Sequence, residues 1–244
     1  MVAASRGFSE FIIESEEYIA ELKNYLVDDM FSRKYSWSAK QPFKVMSYVN
    51  AMTWRMYDMS SAALSLLKND NIIPSLSMVR ACWENMVATY ELAELVKDCC
   101  EKKIVDRGID DSLMRILFSN RFEADNRYVG REFFQQFEKY KAKNILTLIQ
   151  KHEKDFSQVK DVYSTICEFV HPNHDGVLGS YSYEDESNQT IYFAPQFTQD
   201  SWLSSASAAT LNCSIYLYIN FIKSIEGNIG EFSRLCENLI LSKV

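Results

Sequence analysis

The stretch SLSMVRACWENMVATYELAELVK, residues 75–97, decides the fold. Val79, Cys82, Trp83, Met86, Tyr90 and Ala93 recur in it at helical spacing, so they share one apolar stripe. No glycine or proline interrupts it. Pro74 stands just ahead, where the first turn of a helix needs no amide donor. Arg80 and Glu84, four residues apart, fall on one face of this otherwise apolar helix.

The rest of the chain has the same texture. Its 244 residues contain 7 glycines and 4 prolines. Average usage would supply roughly twice as many of each, so obligatory turns are few and long helices are favoured over a many-stranded sheet. The spacing predicts a first helix from Ser9, as N-cap, to about Phe31, with Glu14, Glu16, Glu17 and Glu21 on its wet face. Pro42 opens a second helix that runs to about Lys68, and Asn69, Asp70 and Asn71 break it. Asp111 or Ser112 caps a fourth helix fading near Asn126. Ser157 begins a helix through Tyr163 that Pro172 ends, because proline disfavours helix at the residue before it. Residues 177–194 read as two short strands around the polar turn Glu184–Gln189. Two closing helices, about Ser201–Ile225 and Ile229–Leu241, are separated by Glu226-Gly-Asn-Ile-Gly230. The sequence therefore predicts an all-α fold, a multi-helix bundle with a small β-hairpin insert near 177–194. No linker marks a boundary, so residues 1–244 read as a single helical domain.

Charge is unevenly spread over a net of −7. Residues 1–30 carry seven acids against Arg6 and Lys23. Residues 115–151 carry eight bases against four acids, interleaved with Phe118, Phe122, Tyr128, Phe133, Phe134, Phe137 and Tyr140. Those types suit base stacking and phosphate contact, and equally an amphipathic helix with its aromatics inward. The acidic balance of the whole chain favours the second reading. From Asp161 to Ile222 there is no lysine or arginine, while seven acids are present. The charge-free run Ser201–Ile222 holds too many serines and asparagines for a membrane span. No signal peptide opens the chain, and six cysteines without a CxxC pair read as reduced thiols, so the expected location is cytoplasmic.

Chemistry concentrates in YSTICEFVHPNHDG, residues 163–176, which holds His171 and His174, two of the three histidines. His171 continues the stripe of Val162, Tyr163, Ile166 and Val170, and Glu168 stands three residues before it, placed to orient its ring. One reading is a general base at a helix end. The other is an imidazole favoured by the helix macrodipole. A shared metal is disfavoured, because Pro172 breaks the helical geometry between the two histidines and further ligands are missing. Arg80 and Glu84 also admit two readings. They are a pocket pair whose guanidinium grips a carboxylate or phosphate, or a solvated intrahelical ion pair. Walker, GxGxxG, GxSxG and HExxH signatures are all absent, and no cofactor is implied.

Together, the helix MVRACWENMVATYEL (78–92) and the later YSTICEFVHPN (163–173) resemble a family of uncharacterised bacterial all-helical proteins. The likeness spans about residues 75–175. That family is in turn similar to the HEPN superfamily. The resemblance implies a HEPN-like helical fold, commonly dimeric, in an antiphage defence or toxin–antitoxin system. It implies a binding or regulatory protein whose pocket is lined by Arg80, Glu84, Tyr163, His171 and Asn173. RNA or a nucleotide is the ligand class it suggests. Many HEPN proteins are metal-independent ribonucleases that place an arginine four to six residues before a histidine. Here Ser164, Thr165, Ile166 and Cys167 precede His171, so a ribonuclease would need Arg80 to arrive from another helix, with His171 as base. A third reading makes these residues only ties between helices.

Overall fold

A computed structural model describes residues 7–106, 108–117, 145–152, 154 and 159–242. Among them are eight helices and one two-stranded sheet. In chain order these are α1 (Phe8–Lys23), α2 (Gln41–Lys68), α3 (Ile72–Lys102), α4 (Ile109–Leu117), α5 (Ile145–Lys151), α6 (Val159–Val170), α7 (Leu178–Tyr181), β1 (Ser182–Asp185), β2 (Thr190–Phe193) and α8 (Trp202–Leu241). The all-α expectation with a small hairpin holds. The basic aromatic stretch, apart from Arg115 and residues 145–151, lies outside the described residues, as does Ser157.

Several boundaries depart from the sequence reading. Helix α1 ends at Lys23 with Asn24 as C-cap, not near Phe31, and its N-cap is Gly7 rather than Ser9. Extending it would bring Asp28 and Asp29 to a helix C-terminus, where the macrodipole disfavours negative charge. Helix α4 starts at Ile109, so Asp111 and Ser112 sit in its first turn instead of capping it. Residues 178–181 form a helical turn, not a strand, and β1 begins only at Ser182. The two closing helices are one 40-residue helix, α8, that runs straight through Gly227 and Gly230. A glycine inside a helix costs only about 1 kcal/mol, and burial of Ile225, Ile229 and Phe232 on either side outweighs it.

Scarce glycine does not prevent sharp helix ends. After α2, Asp70 takes a φ of 57°, and Asn71 N–H donates to the Leu66 carbonyl while Asp70 N–H donates to that of Leu67. After α3, Lys103 repeats the arrangement with a φ of 53°, and Ile104 N–H reaches back to Cys99. Both are Schellman closures with a non-glycine residue in the left-handed position. At the start of α8, the Ser201 hydroxyl accepts the Ser204 N–H, the bond expected of an N-cap serine.

The chain forms two compact units whose boundaries fall inside α2, α3 and α8. The first takes Met1–Leu26, Thr53–Met86 and His152–Ile219. Its core includes Leu22, Met56, Leu67, Leu76, Val79, Met86, Ile166, Leu203 and Ile215. Buried Tyr218 and Thr53 share a hydroxyl hydrogen bond of 3.0 Å. The Asp70 carboxylate accepts the Gln199 N–H at 2.7 Å, tying the α2 turn to the approach of α8. The second unit takes Val27–Met52, Val87–Lys151 and Asn220–Val244. Val45, Val49, Leu92, Val96, Leu113, Ile149, Ile222 and Phe232 are buried in it. Lys44 pairs with Asp110 at 2.6 Å, and exposed Lys151 with the buried carboxylate of Glu91 at 2.6 Å.

Candidate functional site

The first unit joins three of the residues singled out in the sequence. On α3 the Arg80 Nε donates to Glu84 Oε1 at 3.0 Å. Tyr163 arrives from α6, almost fully buried, and its hydroxyl donates to the same Glu84 Oε1 at 2.8 Å. That hydroxyl also accepts from Arg80 Nη2 at 3.0 Å, closing a ring of three side chains. The Arg80 guanidinium carbon lies 5.3 Å from the centre of the Tyr163 ring, within cation–π range. Arg80 and Glu84 keep about a quarter of their side-chain surface open, 26% and 29%.

The electrostatics follow from this geometry. Burial raises the Tyr163 phenol well above the ordinary tyrosine range, and its hydrogen bond to the Glu84 carboxylate raises it further. Tyr163 is thus a neutral hydroxyl across the physiological range. Burial works against the Arg80 charge, but the Glu84 hydrogen bond and the neighbouring groups outweigh it and the Arg80 pKa rises. Two of the five guanidinium N–H groups are engaged by Glu84 and Tyr163. Among the described residues the Nη1 nitrogen has no partner. What remains is the outer fork of a fixed cation, suited to two acceptor oxygens on one group.

His171 and Asn173 lie elsewhere. Helix α6 ends at Val170; the His171 N–H still closes a helical bond to the Cys167 carbonyl at 3.0 Å, but its side chain is exposed and does not continue the apolar stripe. His171 stands eight positions after Tyr163, about 12 Å along the axis at 1.5 Å per residue. Among the described residues no hydrogen bond joins the His171 ring to Arg80, Glu84 or Tyr163. Glu168 does not orient it either. Its carboxylate accepts from Asn173 Nδ2 at 2.7 Å, and Asn173 Oδ1 accepts the Gly176 N–H at 2.9 Å. Asn173 therefore staples the turn after α6. Gly176 is fixed by a close approach, since a Cβ there would lie 2.0 Å from the His171 carbonyl oxygen. His174 Nδ1 meets Asp175 Oδ1 at 3.0 Å.

One neighbour was read from the sequence as core alone. Trp83, three residues after Arg80 and 5% exposed, buries an indole N–H with no acceptor among the described residues. The signal lay in the Arg-x-x-Trp-Glu spacing, which puts all three on adjoining parts of one helix face.

All six cysteines are free, and burial pushes the Cys82 and Cys236 thiols up to about 12. Among the described residues no three His, Cys, Asp or Glu side chains cluster to hold a metal. No helix there is long and apolar enough to cross a membrane. Compared with known proteins, the chain matches no family model, no curated protein and no solved structure.

Proposed function

We propose that the chain is a HEPN-like helical binding or regulatory protein of a bacterial defence or toxin–antitoxin system, acting in the cytoplasm as a homodimer. It binds a ligand rather than cleaving one. The observation that carries this reading is the partly exposed Arg80, held by the bonded pair Glu84 and Tyr163 through its Nε and Nη2. A guanidinium held this way has lost its rotamer freedom before any ligand arrives, so binding costs less entropy. Its open fork matches a phosphate or carboxylate group, as in RNA or a nucleotide. Glu84 and Tyr163 are positioning residues in this reading. The separation of His171 from the cluster argues against shared catalysis.

The test uses purified protein, a labelled single-stranded RNA and EDTA, with anisotropy reading binding and a gel reading cleavage. Wild type is expected to bind without cutting. Arg80→Ala, and also Arg80→Lys, which keeps charge but loses the fork, should weaken binding about tenfold or more. Cleavage lost in both Arg80→Ala and His171→Ala at unchanged melting temperature would instead establish the ribonuclease. A lowered melting temperature with no ligand effect would make the cluster a structural tie.

A further inference from the structure

We infer that the hairpin face bearing Glu184, Ile191 and Phe193 is a docking surface for an arginine- or lysine-rich segment of another protein. Exposed apolar side chains concentrate around it. Among the described residues seventeen large apolar side chains are exposed, and eight of them lie between Val177 and Trp202. Exposed apolar residues scattered singly need no explanation, but a group of them in one short segment marks a contact surface.

The hairpin is held firmly at its base. Its ladder continues into α7, where Ala194 N–H donates to the Tyr181 carbonyl at 3.0 Å and Gln196 N–H to that of buried Ser180 at 2.9 Å. The register sets Ser182 against Phe193, Tyr183 against Tyr192, Glu184 against Ile191 and Asp185 against Thr190. Alternation therefore sends Glu184, Ile191 and Phe193 to one face and Tyr183, Asp185 and Tyr192 to the other. The tyrosine face is closed on itself. Its two rings stack with centres 5.2 Å apart, and Asn188 Nδ2 donates to the Tyr192 hydroxyl at 3.2 Å. The Asp185 carboxylate accepts the Ser187 N–H at 3.0 Å and the Ser187 hydroxyl at 2.6 Å. The other face has no such closure. Ile191 is 55% and Phe193 76% exposed. Among the described residues the Glu184 carboxylate has no hydrogen-bond or ion-pair partner.

Charge selects the occupant. From Asp161 to Ile222 the chain carries seven acids and no lysine or arginine. That balance repels a nucleic acid, an anionic membrane and a second, like-charged copy of the same segment. An arginine or lysine suits both halves of the face. Its aliphatic stem lies along Ile191 and Phe193 while its charged head reaches Glu184 on the neighbouring strand. Because the hairpin is already ordered, docking spends little conformational entropy on the receiving side. The surface does not include Arg80, so Arg80→Ala should leave this binding intact whatever it does to RNA binding.

The test is the anisotropy of a short fluorescein-labelled oligoarginine added to the full chain, with an oligoglutamate of equal length as control. Wild type should bind the first and not the second. Phe193→Ser leaves the charge unchanged and should weaken binding about tenfold. Glu184→Gln should weaken it about threefold. Both positions are exposed, so each variant should keep the wild-type melting temperature. Glu17→Gln, on the exposed side of α1, should bind as wild type does. A wild type that ignores oligoarginine, or binding indifferent to Phe193→Ser, overturns the proposal. An equal loss in Glu17→Gln does so too, since the attraction is then to net charge alone. Sedimentation of the same proteins adds the last outcome: a self-associated form that disappears in Phe193→Ser makes a second copy the occupant and overturns it as well.

Discussion

Tyr163 shows how much one hydroxyl can organise. It donates to Glu84 and accepts from Arg80, so Tyr163→Phe removes two bonds while keeping the ring. The expected loss is about 1 kcal/mol, since Arg80 and Glu84 remain bonded to each other. The pH dependence has a definite sign. Burial and the Glu84 carboxylate raise the folded-state pKa, so the unfolded chain releases its phenolic proton first. The stabilisation is complete below the unfolded tyrosine pKa of about 10 and is lost as pH rises above it. The melting-temperature advantage of wild type over Tyr163→Phe should hold steady at neutral pH and shrink in the alkaline range. Gly176 acts through space alone. Gly176→Ala should destabilise the chain by about 2 kcal/mol, because its new Cβ meets a backbone oxygen and not a movable side chain, and thermal denaturation will show it. The site was legible in the sequence to the extent that local spacing defined it. Arg80 and Glu84 declared themselves one helical turn apart. That Tyr163 reaches them across 83 residues of chain is a tertiary fact that no short-range pattern encodes.

At the scale of elements, helix α8 holds the main lesson. Its two glycines were read as punctuation, yet the helix continues because Ile225, Ile229 and Phe232 stay on one buried stripe across them. Tertiary burial overrode propensity. Nothing lies within 4 Å of a Cβ placed at Gly227 or Gly230. Gly227→Ala and Gly230→Ala should therefore each stabilise the protein by about 0.5–1 kcal/mol, measured by urea denaturation. Helices α2 and α3 were legible because apolar spacing, proline near the start and Asn-Asp-Asn between them agreed. The hairpin was half legible. Its alternation from Thr190 is real, but Val177–Tyr181 had enough β-branched and aromatic character to pass for a strand. Its backbone instead bonds locally, Gly179 N–H to the His174 carbonyl and Tyr181 N–H to that of Val177.

For the whole molecule, composition spoke most clearly. Few glycines and prolines gave the helical class, and buried thiols behaved as small apolar side chains. Cys82 and Cys236, pushed up to about 12, have almost no thiolate at neutral pH. A thiol reagent should leave both untouched in the native chain and modify them at the rate of unfolding, read by mass spectrometry with and without denaturant. Charge placement was equally visible, whereas the hairpin register depends on pairing that sequence alone leaves open.

The serine-rich half of α8 looks wet by composition and is dry by arrangement. Ser207, Thr210 and Ser214 each return their hydroxyl to the carbonyl four residues back, at Leu203, Ala206 and Thr210. Such hydroxyls are self-contained and dictate nothing to neighbouring helices. Ser207→Ala and Ser214→Ala should leave the melting temperature within a degree or two, as removing a hydroxyl satisfied at home strands no partner. At Ser207 and Ser214 it is therefore the size of the side chain, not its polarity, that the fold reads, because burial leaves no room for a larger one.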